Sequence, residues 1–162
     1  PRLTDTALNG RYPRRRYDQG RPFAVDTVLG ACMLVRGAAL RAVGPLDEGF
    51  FMYCEEIDWC RRFRRAGWHV LCAPAAVVLH HGGASSGQFR SAAFVHLWRS
   101  RLRYFAKHLR PAHAALVRAI ARAGFRAHDA ADRRAVRRGA MAEATFEQRR
   151  LARAAVFAPH TP

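Results

Sequence analysis

The sequence lacks several features that would place a chain quickly, and each absence removes a class of function. No stretch approaches the roughly 18 uninterrupted apolar residues of a membrane-crossing helix. The longest candidate, Val25–Val35, is broken by Asp26 and Gly30. No basic segment leads into an apolar one near the start, so there is no signal-peptide pattern, and the opening Pro1 reads as a cut point in a longer sequence. A soluble or peripherally attached protein is expected, cytoplasmic or at the inner face of the plasma membrane. Cysteine is scarce, at positions 32, 54, 60 and 72, with no CxxC pair. The spacing of Cys54, Cys60, Cys72 and His80 fits no zinc module, so buried free thiols in a reducing compartment are expected. There is no GxGxxG or Walker pattern to cradle a phosphate, and no internal repeat.

What is present is arginine. All but one of the 28 basic residues are Arg, and the net charge is +16. Residues 1–89 hold 12 basic and 8 acidic side chains, whereas residues 90–162 hold 16 and 4, so the second part carries most of the excess. Such a block favours a polyanionic partner: nucleic acid, an anionic lipid surface or a phosphorylated substrate. The Arg-with-Ala composition is equally a mark of codon bias. An Arg-rich nucleic-acid module would leave the acids between Asp47 and Asp58 unused, and no nucleic-acid motif is present.

The chain is long enough for one domain with a core, half of its residues being apolar. Residues 1–22, with Pro13, Gly20, Pro22 and three consecutive arginines, read as a connector or loop. Residues 23–90 read as an α/β portion of short strands packed with helices. The run Phe23–Val35 is β-prone and split at Gly30; Gly37–Val43 suits a short helix stopped by Gly44-Pro45; Glu55–Ala66 is a helix with Gly67 at its C′ position. Trp68–Cys72 and Ala76–Leu79 are the remaining strands expected, and a glycine-rich loop follows from His80 to Gly87. Residues 91–162 read as a basic helical extension. Phe94, Trp98, Leu102, Phe105 and Leu109 recur at helical spacing before Pro111, and a second helix is expected over Ala112–Ala123.

On a helical wheel, Trp59, Cys60, Phe63 and Ala66 form one apolar face of Glu55–Ala66, with Arg61, Arg62, Arg64 and Arg65 toward solvent. Glu56 falls inside the apolar arc, Glu55 at its edge and Asp58 away from it. A carboxylate at the first turn of a helix feels opposed influences: burial raises its pKa and the helix N-terminus lowers it. That balance suits a general base, which must be ionised near neutrality and still accept a proton. The plainer alternative is that all three acids only complement the helix dipole. Just upstream, Phe50-Phe51-Met52-Tyr53 beside Asp47 and Glu48 either plug the core or wall a sugar-binding pocket. His80, at the expected strand end, is a candidate metal ligand with His81 as competitor, and a structural role is the alternative.

These stretches together resemble the family 2 glycosyltransferases, above all the rhamnosyltransferase-like branch. The matching string runs from Gly30 to Arg36 and from Val43 through Tyr53. It continues with Glu55-Glu56-Ile57-Asp58-Trp59-Cys60-Arg61-Arg62 and Ala66-Gly67-Trp68, and reaches Pro74 and His80–Ser85. The resemblance covers roughly residues 25–105 and implies the acceptor-side, C-terminal half of a GT-A fold, with inversion at the anomeric carbon. It implies Glu56 as catalytic base, with Gly30, Ala31, Asp47, Glu48, Glu55 and Asp58 lining the substrate cleft. It also implies a divalent metal, Mg or Mn, held by the family's Asp-x-Asp acids with help from His80. A nucleotide-sugar donor and a glycan or lipid-linked acceptor are the implied partners, and the basic helix Phe94–Leu109 either touches an anionic membrane or packs on the catalytic domain. The departure is plain: no Asp-x-Asp occurs in this sequence, so the nucleotide-binding half of the family is not represented. A non-catalytic domain derived from the same fold is the remaining alternative.

Overall fold

Glycines end the helices that the sequence makes most legible. In the computed structural model, which describes residues 12–81 and 89–159, helix α2 spans Gly37–Val43 and stops at Gly44, whose φ is 81°. Helix α3 spans Glu55–Arg65 and is released by Gly67 at φ 83°, a left-handed conformation that glycine adopts without a Cβ clash. A short helix, α1 (Arg14–Asp18), lies within the segment expected to be a connector.

The described residues fall into two compact units. The first takes Glu56–His81 and the described part of Pro1–Asp47; the second takes Glu48–Glu55 and the described part of Gly82–Pro162.

The first unit departs from the α/β expectation. Its strands are reduced to β1 (Phe23–Ala24) and β2 (Leu71–Cys72), paired antiparallel with Phe23 opposite Cys72, where a mixed sheet was expected. The expected strands over the rest of Phe23–Val35 and over Ala76–Leu79 do not form. A strand needs a neighbour for its backbone groups, and these segments are largely open to solvent: Leu34 and Val77 are almost fully exposed, and Leu79 is close behind. Val25, Ala39, Cys60 and Phe63 make the buried core. Cys54 and Cys60 are buried free thiols as expected, but Cys32 is exposed and Cys72 half-buried.

The second unit is helical. Helix α4 (Arg90–His108) ends before Pro111, which opens α5 at a position where its missing N–H costs nothing. Helix α5 (Pro111–Arg137) runs far past Ala123, where the second helix was expected to stop, and α6 (Glu143–Ala155) follows a turn at Gly139. The described residues thus hold six helices and one two-stranded sheet, a mostly helical architecture. The aromatic stripe of α4 is spent inside this unit. Phe94 and Trp98 lie 5.6 and 4.9 Å from the ring of buried Phe125, which also meets Phe157. No helix among the described residues is long and apolar enough to cross a membrane.

An ionic clasp ties α6 to α5. Arg153, itself buried, meets Asp132 at 2.5 Å and Asp129 at 2.8 Å, and Arg149 adds a contact to Asp132 at 3.4 Å. The Arg153 hydrogen bond, partly offset by burial, holds the Asp132 carboxyl below its ordinary 3.8. A carboxyl depressed in the folded state stabilises fully above its unfolded pKa, and that stabilisation disappears as pH falls through the folded value. Thermal melts followed by circular dichroism should therefore lose stability below about pH 4, and Asp132→Asn should flatten that acid limb. An unchanged limb would show that the clasp is not coupled to folding.

Candidate active site

The segment leading into α3, Glu48–Glu55, belongs to the second unit and is held within it by side chains of α4. Phe50 is buried, with the Arg103 guanidinium 5.2 Å and the Lys107 ammonium 5.6 Å from its ring centre. The Phe51 and His96 rings meet at a tilt with centres 4.7 Å apart, and the buried Ser100 hydroxyl donates to the Met52 carbonyl at 2.6 Å. Within this aromatic run Phe50 is buried and takes the first of the two expected roles, while Phe51 is exposed. Tyr53 and Cys54 then take φ values of 70° and 66°. Two consecutive non-glycine residues in the left-handed region are uncommon, costing of order 1–3 kcal/mol each, and such strain gathers at functional sites. They stand immediately before Glu55-Glu56.

Both acids are half-buried, and Oε2 of each is closed to solvent. That oxygen of Glu55 accepts no hydrogen bond among the described residues.

Glu56 packs on Gly30. A Cβ added at Gly30 would sit 3.5 Å from Glu56 Cβ, 3.6 Å from Cγ and 3.8 Å from Cδ, ordinary contact distances along the whole side chain. The structure therefore brings together two of the residues implied by the resemblance. Ala31 beside them is exposed; Asp47 is half-buried and Glu48 exposed on the segment before Phe50.

Asp58 is placed otherwise than the wheel suggested. It is fully buried and bonded to Arg62 Nε at 2.8 Å. Arg62 in turn donates to the carbonyls of Val43 at 2.9 Å and Pro45 at 2.7 Å, while Trp59 Nε1 donates to Gly44 O at 2.8 Å. Arg62, assigned to solvent by the wheel, is the hub that fastens α3 to the C-terminus of α2. The physical reason is that α3 is covered on two sides, so a single-face wheel misplaces its polar flank. The i,i+4 spacing of Asp58 and Arg62 is the signal that could have found this pair. With its carboxylate in the clamp, Asp58 is a positioning element for α3 and offers no face to a substrate.

His80 is exposed, and the strand expected before it is absent. The glycine-rich residues 82–87 that follow lie outside the described residues. Among the described residues no group of three or more His, Cys, Asp and Glu side chains could hold a metal ion. The donor set present here does not by itself fit the divalent metal that the resemblance implies.

Comparison with known proteins supplies the relationship. No family model matches the chain, and no solved structure matches it significantly. An N-acetylglucosaminyl-diphospho-decaprenol L-rhamnosyltransferase of Mycobacterium tuberculosis is 46% identical over 64 residues, 40% of this chain and 21% of that protein. The rhamnosyltransferase WbbL of Escherichia coli is 39% identical over 83 residues, 51% of this chain and 31% of that protein. The low-salt glycan biosynthesis hexosyltransferase Agl10 of Haloferax volcanii is 33% identical over 73 residues, 45% of this chain and 24% of that protein. The chain thus corresponds to between a fifth and a third of these relatives. It is partly homologous to the rhamnosyltransferase-like glycosyltransferases of family 2.

Proposed function

We propose that this chain is the acceptor-side part of an inverting glycosyltransferase acting in cell-wall or surface polysaccharide synthesis. Its substrates are a nucleotide-diphosphate sugar and a hydroxyl acceptor on a glycan or lipid-linked saccharide. Glu56 is the base. Its carboxylate takes the proton of the acceptor hydroxyl while that oxygen bonds to the anomeric carbon, and the bond from that carbon to the nucleotide diphosphate breaks on the opposite side. The observation that carries this reading is the half-buried Glu56, lying on Gly30 at the first turn of α3 behind two left-handed residues. Glu55, next to the base and with one oxygen closed to solvent, orients the acceptor.

In this reading the nucleotide-binding half of the GT-A fold, with its Asp-x-Asp acids, corresponds to the part of the relatives that this chain does not cover. A divalent metal on those acids would stabilise charge on the leaving diphosphate. The exposed apolar segments around Leu29, Leu34 and Val77–Leu79 are the places where further strands would join. A cytoplasmic location, peripheral at the inner face of the membrane, follows from a lipid-linked acceptor.

The test uses the full-length protein that contains this chain, a nucleotide-diphosphate sugar and a lipid-diphosphate-linked saccharide. Proton NMR of the product should show the anomeric configuration opposite to the donor's. Retained configuration, or sugar release to water alone, would sink the proposal.

A further inference from the structure

Helix α5 has one face that the second unit leaves uncovered. Its other face holds the buried Ala121 and Phe125, and both of its acids, Asp129 and Asp132, are held by Arg153 of α6. The uncovered face carries Ala112, Leu116, Ala119, Ile120, Ala123 and Ala127, all exposed and recurring at helical spacing over about four turns. Leu116 and Ile120 are 57% and 62% exposed, two large apolar side chains one turn apart. Single exposed apolar residues are ordinary on a protein surface. A pair within a stripe that holds no charged residue is not.

Arginine borders the stripe. Arg126 lies along one edge, and Arg134, Arg137 and Arg138 continue the same face at the end of the helix, all of them exposed. No acid of α5 stands on this side, since both are drawn into the clasp. The face is thus apolar along its middle and cationic at its edge and end, the pattern of a helix that lies in a membrane interface. The aromatic stripe of α4 is not available for that role, because Phe94 and Trp98 pack on Phe125.

We infer that this face of α5 seats the protein on an anionic membrane surface. Leu116 and Ile120 enter the boundary between headgroups and acyl chains, and Arg126, Arg134 and Arg137 meet lipid phosphates. The charge argues against a second copy as the occupant: residues 90–162 hold 16 basic and 4 acidic side chains, so pairing would press two basic surfaces together. A nucleic acid would engage the arginines and leave the apolar stripe in water. The seat on α5 deepens the peripheral location proposed above and rests on that reading for the membrane itself.

Vesicle sedimentation of the full-length protein that contains this chain is the test, with phosphatidylcholine vesicles that hold either no anionic lipid or about one-third phosphatidylglycerol. The protein should pellet with the anionic vesicles and stay in solution with the neutral ones. Leu116→Gln with Ile120→Gln should weaken binding at least about fivefold at unchanged charge. Arg126→Gln with Arg134→Gln and Arg137→Gln should weaken it at least about tenfold. Arg15→Gln with Arg21→Gln and Arg41→Gln, an equal change of charge on exposed residues of the first unit, should leave it within about twofold. Circular dichroism confirms that each variant is folded.

Equal losses from the two arginine sets would overturn the seat, since net charge alone would then account for binding. No loss from the Leu116 and Ile120 pair would overturn it too, leaving a purely cationic surface of the kind a nucleic acid fits. Sedimentation velocity without lipid covers the second copy: a dimer that the Leu116 and Ile120 substitutions dissociate would make this face an interface between copies and end the proposal. Vesicle binding reads no sugar transfer. A protein that binds anionic vesicles through α5 and transfers no sugar upholds the seat and sinks the glycosyltransferase reading; one that transfers sugar and ignores the vesicles does the reverse.

Discussion

Replacing Glu56 by Gln should lower the rate of sugar transfer by about 10²–10⁴-fold, the contribution typical of a positioned general base. Glutamine keeps the length and shape of the side chain, so the packing along Gly30 at 3.5–3.8 Å survives. What disappears is the ability to accept a proton. Substrate KM values should therefore change little, and kcat should carry the loss. Glu55→Gln provides the control within the same helical turn: it retains an acceptor oxygen and should cost far less. Gly30 supplies a geometric companion. Alanine there meets Glu56 at ordinary contact distances and should be tolerated, whereas the longer side chain of Gly30→Leu should crowd the Glu56 side chain and reduce kcat without unfolding the protein. A Glu56→Gln enzyme with near-normal kcat would remove Glu56 from the chemistry, whatever the fate of Gly30→Leu.

The helices that carry these residues were legible because their signals are local. Gly44-Pro45 and Gly67 stop α2 and α3 by backbone preference alone, and the structure ends both helices there. The strands were not legible in the same way. Phe23–Val35 and Ala76–Leu79 have strand composition, but a strand exists only with a neighbour, and just Phe23–Ala24 and Leu71–Cys72 find one among the described residues. Helix α5 passes through the expected break because nothing there stops it: Gly124 sits in open space with ordinary helical backbone, and no proline follows until Pro159.

The candidate site shows the same division. Glu56 could be singled out from helical periodicity, since its neighbours Cys60 and Phe63 are buried. Its contact with Gly30 is long-range and left no local pattern. Asp58 was misjudged for a related reason: periodicity reports one buried face, and α3 has a second against the end of α2. The left-handed pair Tyr53-Cys54 carries no glycine or asparagine to announce it.

That second face yields the largest expected effect on stability. Arg62→Met should destabilise the fold by about 3–5 kcal/mol, because it takes the cation away from a carboxylate that is 0% exposed. It also withdraws the donors that cap the Val43 and Pro45 carbonyls. Arg14 and Asp18 form the opposite case. Their 4.0 Å contact is 86% and 66% exposed, and Asp18→Asn should change stability by no more than about 1 kcal/mol. Urea denaturation of the two single variants separates these magnitudes directly. A third variant, Asp58→Leu with Arg62→Met, removes both charges together and should recover much of the loss, since an apolar pair of similar volume avoids burying the carboxylate without this cation. The cycle thus distinguishes a clamp that works as an ion pair from one that works only through the Arg62-to-carbonyl bonds. In the second case the double variant would be as unstable as Arg62→Met alone, and α3 would owe its position to capping of α2 rather than to Asp58.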